Sequence, residues 1–158
     1  YFELLEESGH AIPEAVRKFW ARERPLEIRP VNVEHYTSHK KLEPRQNVWM
    51  RVTGEVPDNR QLQSAILAYL SDMTLIDTAT YPHGRTGFDP AIQMASLDHA
   101  MWFHRPHKLD DWVLYTQDSP NAIGSRGLAR GFLYSRDGRL IASTAQEGLI
   151  RVRSMHKK

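Results

Sequence analysis

Three polar side chains stand where the surrounding pattern is apolar, and their types suit acid-base work on a water molecule. Asp72 lies late in an amphipathic stretch. With Leu62 at zero on a wheel of about 100° per residue, it falls near about 280°, just beside the apolar stripe. A carboxylate at such a border is expected to be partly desolvated, which raises its pKa and makes it a better proton acceptor. Ser96 shares a strand face with Ile92, Met94 and Asp98; Gln146 shares one with Leu140, Ala142, Thr144 and Gly148. A buried amide must find partners, and water in a pocket is one of them. Plainer readings stay open on these residues alone: Asp72 as a solvated residue near a helix end, and Ser96 as a hydroxyl bonded to its own backbone.

Other constellations carry less. Ser96, Asp98 and His99 have the types of a nucleophilic triad, but adjacent strand residues point to opposite faces and no Gly-x-Ser-x-Gly elbow is present. His99, His104 and His107 lack a carboxylate or thiolate at a standard metal-ligand spacing, so no metal is expected. Gly124-Ser125-Arg126-Gly127 follows Pro120-Asn121 and opens a strand rather than a helix, so no helix N-terminus backs it as a phosphate site. The sequence has no cysteine. A disulfide framework, a thiolate nucleophile and a cysteine zinc site are thereby excluded.

The elements that would hold these residues follow from periodicity. A helix is expected from Asp58 as N-cap, with Gln61 in the capping-box position and an apolar stripe at Leu62, Ala65, Ile66, Tyr69, Leu70 and Met73. Period-two alternation predicts strands from Leu26 onward, through Val31 and Val33, and again at Val48, Met50 and Val52. After a loop with Pro82, Gly84, Gly87 and Pro90, alternating runs cover 92–103 and 112–117. A hairpin pair follows, joined by Asp137-Gly138, whose type I′ turn requires positive φ at both residues. In the first strand of that pair Gly127, Ala129 and Gly131 leave one face nearly bare, which lets the helix approach closely. Trp20, Trp49, Trp102 and Trp112 are read as core residues. The order is strand, strand, helix and four strands: an α+β chain whose antiparallel sheet curls round one long central helix.

At 158 residues the chain makes one domain with a sizeable core. It is 41% apolar and 25% charged, which suggests neither disorder nor a membrane span, and a net charge of +2 is too small to argue for nucleic acid. Residues 1–24 read as a charged leader or linker, with a short helix over 14–22 begun at Pro13; 25–152 form the domain; 153–158 are a basic tail. A start at Tyr1 without the basic and long apolar stretches of a signal peptide reads as a chain entered partway, and no run reaches the roughly 20 apolar residues of a bilayer span.

The run Ala95-Ser96-Leu97-Asp98-His99-Ala100-Met101-Trp102-Phe103-His104-Arg105-Pro106, then Gly124-Ser125-Arg126-Gly127 and Ser143-Thr144-Ala145-Gln146-Glu147-Gly148, resembles the acyl-CoA thioesterase II family. The likeness extends from Arg24-Pro25-Leu26-Glu27 to Arg151 and is to the C-terminal hotdog domain of a double-hotdog enzyme. It implies a hotdog fold and hydrolysis of acyl-CoA thioesters to fatty acid and CoA without a cofactor. It also implies Asp72, Ser96 and Gln146 as the catalytic group, matched through Tyr69-Leu70-Ser71-Asp72, Ala95-Ser96-Leu97-Asp98-His99 and Ala145-Gln146-Glu147-Gly148. In that role Asp72 acts as general base on a water held by Ser96 and Gln146, with a backbone N–H as oxyanion donor; a covalent acyl-Asp72 route is the variant. Hotdog hydratases place a His five residues after the Asp; here that residue is Asp77, which disfavours hydration. The N-terminal hotdog half is missing, so a partner is expected, either that half or a second hotdog chain, and a non-catalytic half that only binds or pairs is the alternative. The cytoplasm is the expected location; a Ser-Lys-Leu peroxisomal ending is absent.

Overall fold

The computed structural model describes residues 12–153; residues 1–11 of the expected leader and 154–158 of the expected tail lie outside them. One antiparallel sheet contains β1 (Leu26–Pro30), β2 (Arg45–Val52), β3 (Ile92–Ser96), β4 (Ala100–Phe103), β5 (Val113–Ile123), β6 (Arg126–Ser135) and β7 (Leu140–Val152). Its order is β1-β2-β5-β6-β7-β3, and β4 also pairs with β7. Alternation builds its inner face. Val48 and Met50 of β2, Val113 and Tyr115 of β5, and Ala129 and Leu133 of β6 are buried at every second position.

Beyond the helix there are five strands, not the four expected, because the run 92–103 is broken. The N–H groups of Leu97 and Asp98 both donate to the Glu147 carbonyl, and the Asp98 carboxylate accepts the Glu147 N–H. On either side of this pinch Ser96 lies opposite Gly148 and Ala100 opposite Ala145. At the other end β1 stops at Pro30, and Val31 and Val33 are not strand residues. Asn32 accepts the Glu34 N–H there and opens the short helix α2 (Glu34–Thr37).

The helical part differs most from expectation. Helix α3 (Arg60–Asp72) is capped by Asn59, whose side chain accepts the Leu62 N–H at 3.1 Å, rather than by Asp58 with Gln61. It ends at Asp72, and the chain continues as a separate 3-10 segment, Leu75–Ala79. The expected helix is thus present as α3, and a second helical piece follows it. The sheet wraps the second: Leu75 and Ala79 are fully buried. A Cβ on Gly127 would stand 2.6 Å from the Ala79 Cβ, and one on Gly148 would stand 2.5 Å from Ile76. The bare strand face thus receives the 3-10 segment rather than α3. Held at that end, α3 buries Gln63, Leu67, Leu70 and Ser71, and Leu62, Ala65 and Tyr69 of the expected stripe face solvent.

Smaller corrections have local causes. The two consecutive positive-φ residues are Gly124 (61°) and Ser125 (62°) between β5 and β6; at the expected type I′ site only Gly138 is positive, at 84°. There Ser135 and Arg139 close a wider turn. Trp102 is exposed on β4, and the half-buried Trp112 is covered by the guanidinium groups of Arg29 and Arg51. Helix α1 is Glu14–Trp20, shorter than the 14–22 expected; its Val16 packs with Ile12 and Tyr36. Among the described residues no helix is long and apolar enough to cross a membrane.

Candidate active site

The C-terminus of α3, the end of β3 and the middle of β7 meet at one corner of the sheet. Asp72 is the last residue of α3 and Ser96 the last of β3 before the pinch. Gln146 pairs across the ladder with Ala129, a small residue that leaves room above the sheet. The Ser96 hydroxyl donates to Asp72 Oδ1 at 3.1 Å. Gln146 Nε2 donates to the same oxygen at 2.5 Å and to Ser96 Oγ at 2.6 Å. A carboxylate can only accept, so the amide nitrogen must face it. Gln146 Oε1 is then left buried, with no partner among the described residues.

Burial of the three is uneven. Gln146 is fully enclosed, yet the Asp72 side chain keeps 51% of its surface in solvent and Ser96 is exposed. The desolvation expected at the helix border is therefore incomplete in this chain. The buried face of α3 centres near about 120° on the wheel, so Asp72 lies on the far side of the helix and is held only by its polar contacts.

Sequence reasoning missed the residues behind Asp72. His99 Nε2 lies 2.8 Å from Ser71 Oγ, and His99 Nδ1 lies 3.9 Å from Asp72 Oδ1, buried and without a hydrogen-bond partner among the described residues. Ser71 is in turn held by β5, because the Tyr115 hydroxyl lies 2.9 Å from its carbonyl and 2.8 Å from Thr144 Oγ1. Burial pushes the Tyr115 phenol far above its ordinary value; the Thr144 bond opposes that shift and the Asp72 charge adds to it. No periodicity flags His99, because the pinch at 97–98 resets which way the strand's side chains face.

The rival constellations do not assemble. Ser96 bonds Asp72 and Gln146, and Asp98 is turned to the Glu147 N–H, so no triad forms with His99. His104 bonds Ser143, while the half-buried His107 lines a cleft of about 510 Å³ at the opposite end of α3 with Arg60 and Arg105. Arg126 lies 3.7 Å from Glu147. Asp77, the fifth residue after Asp72, lies half-buried under Gly87, and desolvation pushes its carboxyl from 3.8 up to about 7.

Known proteins resemble this chain in sequence and fold. The acyl-CoA thioesterase family model matches residues 15–149. Acyl-CoA thioesterase 2 of Haemophilus influenzae is 40% identical over 148 residues, which cover 94% of this chain and 52% of that protein. The acyl-CoA thioesterase II TesB2 of Mycobacterium marinum superposes with a TM-score of 0.71 at 36% identity, over 85% of this chain and 53% of that one. A protein of hot dog fold from Alicyclobacillus acidocaldarius has a TM-score of 0.61 at 14% identity, over 82% of this chain and 46% of its own, a likeness of fold alone. The chain spans about half the length of the curated relatives it matches.

Proposed function

Because this chain belongs to the acyl-CoA thioesterase family, we propose that it hydrolyses acyl-CoA thioesters to free fatty acid and CoA, with Asp72, Ser96 and Gln146 as its catalytic group. The observation that carries this reading is the convergence of a carboxylate, a hydroxyl and an amide from three separate elements onto one oxygen. Ser96 and Gln146 both donate toward Asp72 Oδ1, which fixes the carboxylate without a cation. A water beside it donates one hydrogen to Asp72 and the other to the free Oε1 of Gln146. Asp72 takes the first proton as the oxygen adds to the thioester carbonyl; the C–S bond then breaks, and that proton returns to the leaving sulfur. Holding the water in place supplies the rest of the rate gain by orientation.

The site reads as completed by a second hotdog domain. In this chain Asp72 stays half in solvent, Leu62 and Tyr69 present an apolar face of α3, and Leu97, Trp102 and Phe103 are exposed along the β3–β4 edge. That edge pairs with no further strand among the described residues. Unpaired strand edges and contiguous apolar surface mark places where another chain docks. A partner laid there would take water away from Asp72 and wall the substrate in.

The test is release of free thiol from acyl-CoA by this chain alone and together with a second hotdog domain, with the assembly size followed by light scattering. Turnover that appears or rises when the domains associate is the expected result. Binding of acyl-CoA without turnover in either state would replace hydrolysis by the alternative, a half that only binds or pairs.

A further inference from the structure

We propose that His99 is a positioning residue for Asp72, held by Ser71 in the one tautomer that can share the proton Asp72 takes from water. This rests on the reading of Asp72 as the base. Ser71 is fully buried in the last turn of α3. Its hydroxyl lies 2.8 Å from the Ala68 carbonyl and 2.8 Å from His99 Nε2. A hydroxyl has one proton and a carbonyl can only accept. Ser71 therefore donates to Ala68, and its oxygen accepts from His99, so Nε2 carries the hydrogen. In the neutral ring Nδ1 is then a bare acceptor.

That acceptor is enclosed, has no partner among the described residues, and lies 3.9 Å from the oxygen of Asp72 that receives Ser96 and Gln146. A bare nitrogen beside an ionised carboxylate gains nothing, because both groups accept and neither donates. Once Asp72 holds a proton, its O–H has Nδ1 as an acceptor after a closure of roughly 1 Å to hydrogen-bond distance. The arrangement favours the product of proton transfer over its reactant, which is the kind of contact that accelerates a step. No atom is consumed: the proton leaves water, rests between Asp72 and Nδ1, and passes to the CoA sulfur when the C–S bond breaks.

The charged and titratable groups on the surrounding elements are few. From α3 there is Asp72, and from β5 Tyr115, whose phenol stays neutral at physiological pH. Asp98 is turned to the Glu147 N–H, and Glu147 lies near Arg126.

The experiment compares His99→Gln, His99→Asn and Asp72→Asn in the assembly that shows turnover. Gln keeps a donor near the Nε2 position, and with it the Ser71 contact, but has nothing at Nδ1; Asn has the reverse. For His99→Gln the expected result is a loss of kcat of about tenfold to a hundredfold with KM little changed. Wild-type kcat in that variant overturns the proposal, and a kcat lost only in His99→Asn assigns the ring a purely structural role through Ser71. Asp72→Asn separates the two readings: if it stays active, hydrolysis through Asp72 fails as well, whereas an inactive Asp72→Asn beside a normal His99→Gln removes only His99. Nitrogen NMR of the wild-type ring needs no variant. Protonated Nε2 and bare Nδ1 at neutral pH are expected, and the opposite tautomer contradicts the assignment.

Discussion

Helix α3 and the 3-10 segment Leu75–Ala79 are neighbours in sequence and opposites in packing. The 3-10 segment is closed in by β5, β6 and β7, with Leu75 and Ala79 fully buried and Gly127 and Gly148 cleared to admit Ile76 and Ala79. Helix α3 is covered on one side only, and Tyr69 is 61% exposed. Asp72 stands at the junction. One part of the helical layer is a finished core and the other lies open to solvent, so the candidate site stands where a rigid wall meets the surface on which a second hotdog domain is proposed to dock. Rigid support behind and an open front suit a group that must be held still and also meet a substrate.

This contrast can be broken at either end. Leu75→Ala removes a fully buried side chain with little room to collapse and should cost about 2–5 kcal/mol in denaturant unfolding. Tyr69→Ser on the open face should cost under about 0.5 kcal/mol in the isolated chain yet weaken association with a second hotdog domain. Equal losses at the two positions would mean that α3 is as enclosed as the 3-10 segment.

A pH series sharpens the same point at Asp77, within the 3-10 segment. Its folded-state pKa is raised by desolvation from 3.8 to about 7, so between those values the folded state binds more protons than the unfolded. The stability Asp77 contributes should therefore be fully present below about pH 4, be lost as pH rises through about 7, and stay level above. Asp77→Asn should flatten that fall and leave the protein more stable at pH 8. A slope that survives the substitution would place its source elsewhere.

Much of this was legible in the residues. The inner faces of β2, β5 and β6 follow from alternation alone, and the bare face at Gly127, Ala129 and Gly131 announces a close approach. Local motifs singled out Asp72, Ser96 and Gln146, each in a short matching run, and the structure brings the three side chains together. What escaped has a common cause, the difference between amphipathicity and burial. The stripe of Leu62, Ala65 and Tyr69 is apolar in composition, but in this chain it faces outward. Asn59 took the cap from Asp58 because only the side chain one residue before Arg60 meets the Leu62 N–H. The break between β3 and β4 depends on bonds to Glu147, fifty residues on, which no local pattern contains.

In the proposed mechanism Asp72, fixed by Ser96 and Gln146, activates the water that cleaves the thioester. This role is tested most directly by thiol release from acyl-CoA by the associated enzyme carrying Asp72→Asn, which keeps the side chain's shape and removes its capacity to take a proton. Loss of at least about a hundredfold in kcat, with unfolding and assembly unchanged, is the predicted result. Turnover close to that of the wild type would contradict it.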